Sequence, residues 1–126
     1  MDCPFCCVSN HLIIKENAIP FAVYDGFPVT PGHCLIIPKR HISSFFETTI
    51  EEQLSFLDLI TKVQQMIKKE HNPDGFNIGV NDGEAAGQTV MHLHIHLIPR
   101  YLGDVEDPRG GVRWVIPENA PYWGQS

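Results

Sequence analysis

The sequence has few basic residues: 9 lysines and arginines stand against 15 acidic residues, which gives a net charge of −6. It therefore lacks the broad basic face that nucleic-acid binding requires, although a small anionic substrate held by local donors is compatible with this charge. No apolar run reaches the length of a membrane span, and no secretory signal precedes the first predicted strand. We therefore expect a soluble cytoplasmic protein whose partners include neither a nucleic acid nor a membrane.

Cysteine is also scarce, with 4 residues at positions 3, 6, 7 and 34. Without an export signal we do not expect disulfide bonds. The Cys3-x-x-Cys6 spacing is typical of a metal-binding knuckle, with two reduced cysteines that bind no metal as the plainer alternative. A redox pair is less favoured because no strand precedes the motif. Cys7 and Cys34 are expected to be small buried residues.

The length and composition fit a single globular domain over residues 1–126. Of these residues 43% are hydrophobic and 19% are charged, and the chain contains no internal repeat or low-complexity linker. We expect the core to span residues 3–100. Glycine and proline recur in residues 101–126, which predicts an irregular tail with one candidate short strand at residues 112–116.

Hydrophobic patterning predicts an α+β fold, in which an antiparallel sheet of about five strands packs against one long helix and a short one. The long helix is predicted over residues 51–70, with Thr49 and Glu52 as a capping box and Asn72 and Pro73 as its end. Its apolar residues recur at helical spacing, at Leu54, Leu57, Ile60, Val63 and Ile67. The strands are predicted at residues 11–16, 20–24, 33–37, 76–80 and 89–99.

The most informative segment is residues 92–98, where His92, His94 and His96 alternate with bulky apolar residues. A strand turns successive side chains to opposite faces, so this pattern predicts three imidazoles on one face of a strand. Imidazole titrates near neutral pH and can attack, donate a proton or bind a metal. A chance cluster of half-buried histidines is the plainer interpretation, but a core strand rarely places three histidines on one face.

The order His-φ-His-φ-His-φ-φ, with φ apolar, resembles the motif of the histidine triad (HIT) superfamily, and residues 92–98 match it without a gap. Two more blocks agree in order and spacing, because residues 81–90 resemble the loop before the triad and residues 31–38 resemble an upstream strand. The loop and the Ile-Pro-Arg after the triad are most similar to the fragile histidine triad branch. The cysteine knuckle and the Gly-Gly-Val-Arg-Trp segment resemble bacterial HIT hydrolases instead.

This resemblance implies a hydrolase that cleaves at the α-phosphate of nucleoside phosphate esters, anhydrides or amidates, such as dinucleoside polyphosphates. It makes His94 the nucleophile, which would form a covalent nucleotidyl-histidine intermediate. The attacking nitrogen must be unprotonated, so we expect the other ring N–H to be held by a backbone carbonyl of a neighbouring strand. His96 is expected at the phosphoryl oxygens or as proton donor to the leaving group, and His33 is expected to contact the phosphate.

The resemblance also implies substrate-binding residues around the triad. Asp25 would accept hydrogen bonds from the ribose hydroxyls, with a plain Asp-Gly turn as the structural alternative. The loop before the triad offers amide, backbone and hydroxyl donors for the phosphate, and an ordinary glycine-rich turn is its alternative. These loop residues are Asn81, Gly87, Gln88 and Thr89.

Zinc-bearing relatives, which include galactose-1-phosphate uridylyltransferases, complete a cysteine pair with the first triad histidine and a histidine after the upstream Ile-Pro segment. By this resemblance the ligands here would be Cys3, Cys6, His41 and His92. Four protein ligands close a tetrahedral site, so the zinc would be structural. The resemblance further implies a purine nucleotide substrate, a homodimer formed through the helix and an edge strand, and no organic cofactor.

Two other functions fit the same residues. His92, His94 and His96 gathered on one catalytic zinc would make a metal-dependent hydrolase, but this arrangement leaves the two knuckle cysteines without a purpose. A non-catalytic nucleotide-binding regulator is the second alternative, and an intact His94 argues against it because a pure binder needs no nucleophile.

Overall fold

The computed structural model describes residues 3–124. Five strands and one α-helix make up the regular structure of this part of the chain, with 3-10 turns between them. None of its helices is both long and apolar enough to cross a membrane. The bounds are β1 (Ile13–Glu16), β2 (Pro20–Tyr24), β3 (Cys34–Pro38), α1 (Ile50–His71), β4 (Gly75–Val80) and β5 (Ile95–Arg100).

The five strands form one antiparallel sheet in the order β1-β2-β3-β5-β4. This architecture confirms the predicted α+β class. The last strand of the sequence is thereby inserted between β3 and β4, and His96 pairs with Leu35 on one side and with Gly79 on the other. The histidine segment therefore runs through the interior of the sheet and not along its edge.

Helix α1 begins and ends where the sequence predicts, within one residue. The Thr49 side chain accepts a hydrogen bond from the Glu52 backbone N–H, and the Glu52 carboxylate accepts one from the Thr49 N–H, so the capping box is formed. At the other end, Asn72 adopts the left-handed conformation with φ 52°. The short helix expected beside α1 is represented by 3-10 turns such as Phe45–Glu47.

Helix α1 buries only some of the apolar residues that recur at helical spacing in the sequence. Leu54 and Leu57 are 62% and 60% exposed, whereas Phe56 and Leu59 are almost fully buried. The helix carries apolar residues on two stripes, and helical spacing alone does not say which stripe meets the sheet. The stripe that packs on the sheet consists of Phe56, Leu59, Ile60, Val63 and Ile67.

The sheet separates two apolar clusters. Leu93, Ile95 and Leu97 pack with the residues of α1 in the larger cluster. Leu35 belongs to the smaller cluster on the other face and lies directly opposite His96 in the register, so the two side chains share a face. The triad thus opens onto the face of the sheet that α1 does not cover.

The histidine strand is shorter than predicted. β5 begins at Ile95 and not near Thr89, so His92 and His94 precede the paired segment. Before Ile95 the chain leaves the ladder, and the Leu93 N–H donates to Ile42 O at 2.7 Å. The alternation of buried and half-buried side chains nevertheless continues back to Leu93.

The tail contains no strand over the described residues 101–124, so the candidate strand at residues 112–116 is wrong. Residues Gly111–Val115 form a 3-10 turn instead, preceded by Gly110 with φ 94°. Only glycine adopts this left-handed conformation readily. The Arg113 guanidinium closes the segment by donating to the carbonyls of Asn119 and Ala120.

Candidate active site and metal centre

Four side chains from distant parts of the sequence converge beside the start of β5. Cys3 Sγ lies 3.3 Å from His92 Nδ1, and Cys6 Sγ lies 3.2 Å from His41 Nδ1. The two Nδ1 atoms are 3.2 Å apart, and one ligand atom from each of the four residues lies within 4.8 Å of the others. The structure thus brings together the four residues that the sequence singled out for zinc.

The donor chemistry of this cluster fits a metal cation. His92 is fully buried, and its Nε2–H donates to Pro38 O at 2.8 Å, so the lone pair of its neutral ring is on Nδ1 and faces the two sulfurs. Burial lowers the pKa of His92, which favours this neutral form. Two thiolate sulfurs and two imidazole nitrogens around a tetrahedral zinc are separated by about 3.3–3.8 Å, close to the separations found here.

His94, the expected nucleophile, is held by one hydrogen bond from its own segment. Its Nδ1 lies 2.8 Å from the carbonyl oxygen of His92, and a carbonyl only accepts, so Nδ1 carries the proton. Nε2 then carries the lone pair. The acceptor is a backbone carbonyl, as predicted, but it comes from two residues earlier and not from a neighbouring strand.

His96 and His33 form a second group with Asp25. His33 Nε2 lies 2.9 Å from His96 Nδ1 and 3.4 Å from an Asp25 carboxylate oxygen. The other nitrogen of His33, Nδ1, accepts the backbone N–H of Val29 at 3.1 Å. His33 is 2% exposed, and both of its ring nitrogens have hydrogen-bonding partners within the protein.

Burial lowers the pKa of both His33 and His96, and the Asp25 carboxylate opposes this effect. The carboxylate is itself constrained, because one of its oxygens accepts the Phe27 N–H at 2.8 Å. The structure therefore places Asp25 in the group around His96, with capacity left to accept further hydrogen bonds.

A cleft of about 320 Å³ borders this group on the side of β4 and the tail. Its lining includes Val29, His33, Asn77, Asn81, His96 and Val112. A larger depression of about 470 Å³ lies further along β5, around Arg100 and Asp104. The smaller cleft is lined by two of the histidines that the sequence predicts to be catalytic, His33 and His96, and is therefore the candidate substrate site.

The loop before the triad brings only part of its expected donors to this cleft. Asn81 lines it, whereas Gly87 and Thr89 are exposed and Gln88 is buried. The Gln88 amide is used within the loop region, since its oxygen accepts the Gly83 N–H and its nitrogen donates to two backbone carbonyls. Gln88 thus shapes the loop in this structure, and Gly87 has the left-handed φ of 93° that the turn requires.

A family model described as the HIT domain matches residues 8–103. The chain belongs to the HIT family. An uncharacterized HIT-like protein of Methanocaldococcus jannaschii is 39% identical over 108 residues, which cover 82% of this chain and 83% of that protein. The asymmetrical bis(5'-nucleosyl)-tetraphosphatase of Schizosaccharomyces pombe is 41% identical over 80 residues, which cover 64% of this chain but only 44% of that enzyme.

Among solved structures, a crystal structure of a zinc-bound HIT family protein from Mycobacterium smegmatis matches with a TM-score of 0.74. The two chains are 33% identical, and the match covers 85% of this chain and 81% of that one. A zinc-bound member of the HIT family with the same fold is compatible with the cysteine and histidine cluster described above.

Sequence reasoning about this HIT protein was wrong on one cysteine and missed two contacts of the site. Cys34 is buried as expected, but Cys7 is exposed beside the knuckle. Phe5, between the two knuckle cysteines, packs edge-on against His94 with ring centroids 5.0 Å apart. Val29 contacts His33 through its backbone N–H, and a pattern of side chains cannot predict such a contact.

Proposed function

We propose that this HIT protein is a nucleotide hydrolase that cleaves at the α-phosphate and uses His94 as its nucleophile. The observation that carries this proposal is the hydrogen bond from His94 Nδ1 to the His92 carbonyl, because it leaves the Nε2 lone pair available for attack. The tetraphosphatase name of the fission-yeast relative supports a nucleotide substrate with a phosphoric anhydride. A nucleoside phosphoramidate presents the same α-phosphate and is the alternative substrate class.

In the proposed first step, His94 Nε2 forms a bond to the α-phosphorus while the bond from phosphorus to the leaving oxygen or nitrogen breaks. His96 lies next to the nucleophile, with ring centroids 5.3 Å apart, and donates a hydrogen bond to the phosphoryl or leaving group. In the second step, water attacks phosphorus, the nitrogen–phosphorus bond breaks, and the nucleoside monophosphate is released.

The surrounding residues take binding roles in this proposal. Asp25 accepts hydrogen bonds from the ribose hydroxyls of a purine nucleotide, and Asn81 binds from the wall of the cleft. Thr89 donates from the loop, where Gly87 lets the backbone approach the phosphate closely. Gln88 acts through the loop that its amide holds together. Deleting one preorganised donor to a developing oxyanion typically costs about 10²–10³ in rate.

We assign a structural zinc to Cys3, Cys6, His41 and His92. Such a site would tie the N-terminal segment to the residue whose carbonyl orients His94. The triad histidines do not converge on one point, because His92 Nδ1 faces the cysteines while His94 Nδ1 faces a carbonyl. This divergence favours the structural site over a catalytic zinc shared by the whole triad.

We further propose a homodimer. The outward stripe of α1 exposes Ile50, Leu54 and Leu57 by at least 60%, and Ile78 of the edge strand β4 is 53% exposed. Burying large apolar side chains of this kind against a second copy is favourable by about 25 cal/mol for each Å² removed from water.

The test of the nucleophile compares the wild-type protein with His94→Ala on a panel of adenylated and guanylated substrates. We expect a labelled covalent nucleotidyl-enzyme from the wild type in rapid-quench experiments, and neither this species nor turnover from the variant. Nucleotide binding, measured by calorimetry, should survive in His94→Ala. The exposed His11, outside the site, gives the matched control His11→Ala. Substantial turnover by His94→Ala, or no covalent species across the whole panel, would argue for a different nucleophile or a non-catalytic binder.

A further inference from the structure

The buried His33 forms hydrogen bonds on both sides of its ring, one with the backbone N–H of Val29 and one with the imidazole of His96. The Val29 N–H donates to His33 Nδ1 at 3.1 Å, so this nitrogen carries a lone pair. A neutral imidazole has one protonated nitrogen, and in His33 the proton must therefore be on Nε2. His33 is 2% exposed, so its ring is held almost entirely within the protein.

The position of the proton on His33 in turn determines the position of the proton on His96. His33 Nε2–H points at His96 Nδ1, 2.9 Å away, and the Asp25 oxygen at 3.4 Å is a more distant acceptor for the same proton. His96 Nδ1 therefore accepts, and the proton of neutral His96 must be on Nε2. The burial that lowers the pKa of both rings favours the neutral forms for which this deduction holds.

We propose that His33 is a positioning residue that, with the Val29 backbone N–H, fixes His96 in the tautomer that carries its proton on Nε2. His94 is fixed in the opposite tautomer by the carbonyl of His92. Two neighbouring imidazoles of one segment thus present a lone pair and an N–H, which are the two groups that attack on phosphorus and stabilisation of the departing group require.

Metal binding is the competing interpretation of this group, because one ligand atom each from Asp25, His33 and His96 lie within 4.8 Å of one another. Coordination through His33 Nε2 would need a lone pair there and would move the proton to Nδ1. That proton would then face the Val29 N–H at 3.1 Å, with two donors opposed. The hydrogen-bonded link gives both the Val29 N–H and the His33 Nε2–H an acceptor, so it is favoured over a second metal site.

Nitrogen-15 NMR of the wild-type protein, with its histidines assigned, tests the tautomers directly and requires no substrate. We expect neutral His33 and His96 to carry the proton on Nε2 and His94 to carry it on Nδ1. A His96 found with its proton on Nδ1, or with the two forms in comparable amounts, overturns the proposal. Because it involves no turnover, this measurement is independent of the proposed hydrolase function.

A matched pair of substitutions tests the positioning role, which depends on the proposed function. In His33→Gln the amide oxygen takes the Val29 N–H and the amide nitrogen donates to His96, so the tautomer and most of kcat should be retained. Glutamate has the same shape as glutamine, but in His33→Glu a carboxylate faces His96 Nδ1. This should move the His96 proton to Nδ1 and lower kcat by about 10²-fold or more. NMR reports the tautomer in both variants, and thermal unfolding checks that both are folded.

The outcome is read from kcat and KM on the best substrate of the panel. A loss of kcat confined to His33→Glu and accompanied by the changed His96 tautomer supports the proposal. Equal losses in both variants, or a change in KM alone, overturn it, because His33 would then act in folding or in direct substrate contact. If no substrate of the panel is turned over, the tautomers of the wild type and of the two variants still decide the question.

Discussion

At the scale of single residues, three histidines with the same spacing carry three different hydrogen-bonding arrangements. His92 donates from Nε2 to the Pro38 carbonyl, whereas His94 donates from Nδ1 to the His92 carbonyl. His96 accepts on Nδ1 from His33. The neighbouring donor or acceptor therefore decides which ring nitrogen is free, and this difference underlies the three roles proposed for the histidines: metal ligand, nucleophile and hydrogen-bond donor.

A residue-scale prediction concerns Glu52, whose carboxylate receives two hydrogen bonds from Arg40 and one from the Thr49 N–H. These contacts lower its pKa from 4.5 to about 2, first through Arg40 and then through Thr49. A carboxylate with a lowered folded-state pKa stabilises the fold above pH 4.5, and this contribution is lost as the pH falls towards 2.

Glu52→Gln should therefore lower the free energy of unfolding at pH 7 by about 1 kcal/mol, a modest value because half-exposed Arg40 leaves the pair partly screened. The difference from the wild type should stay constant down to pH 4.5 and narrow below it. Urea unfolding at a series of pH values measures it, with exposed Glu51→Gln as the control. A difference that grows on acidification would contradict the ion-pair explanation.

At the scale of elements, the N-terminal segment is connected to the residues just before β5 through the cysteine and histidine cluster and through Phe5. We predict that Cys6→Ser lowers the zinc content well below one ion per chain and lowers the Tm, because metal binding contributes to folding free energy. The adjacent and exposed Cys7, outside the cluster, gives the matched control Cys7→Ser, which should keep its zinc.

Elemental analysis and thermal unfolding measure the two effects of Cys6→Ser. Chelation of the wild type should likewise reduce stability before it reduces the initial rate, as expected for a closed structural site. An immediate loss of rate at unchanged Tm would indicate a catalytic metal instead. A wild-type protein that holds no zinc after growth in zinc-replete medium would contradict the assignment.

At the scale of the whole molecule, one apolar stripe of α1 packs in the core, and the other is exposed and is the proposed contact with a second copy. We predict that Leu57→Glu shifts the protein from dimer to monomer, since it would bury an unpaired charge in the interface. Sedimentation velocity or light scattering measures the mass. Leu102→Glu, at a tail leucine that is 88% exposed, is the control and should leave the mass unchanged. A wild type that is monomeric at micromolar concentration would contradict the homodimer.

Several features could be predicted from the sequence because they depend on short-range patterns. Helix α1 with its capping box and the strand over residues 20–24 follow from local spacing and turn chemistry. The candidate strand at residues 112–116 was wrong, and helical spacing did not decide that Leu54 is exposed, because both depend on contacts distant in the sequence. Which face of α1 is exposed depends on which apolar stripe packs on the sheet. The conformation of the tail depends on hydrogen bonds from Arg113 to the carbonyls of Asn119 and Ala120.

The amino-acid order by itself determined that His94 and His96 alternate with core residues on one strand-like segment and that the chain belongs to the histidine triad family. Only the tertiary structure decided what each imidazole presents. The groups that orient the histidines are backbone atoms or residues distant in the sequence, namely the Pro38 carbonyl, the Val29 N–H and His33. A pattern of side chains along the sequence does not predict these contacts. A ring nitrogen is free or occupied according to its nearest donor or acceptor in space, so the chemistry of the triad is a property of the folded chain.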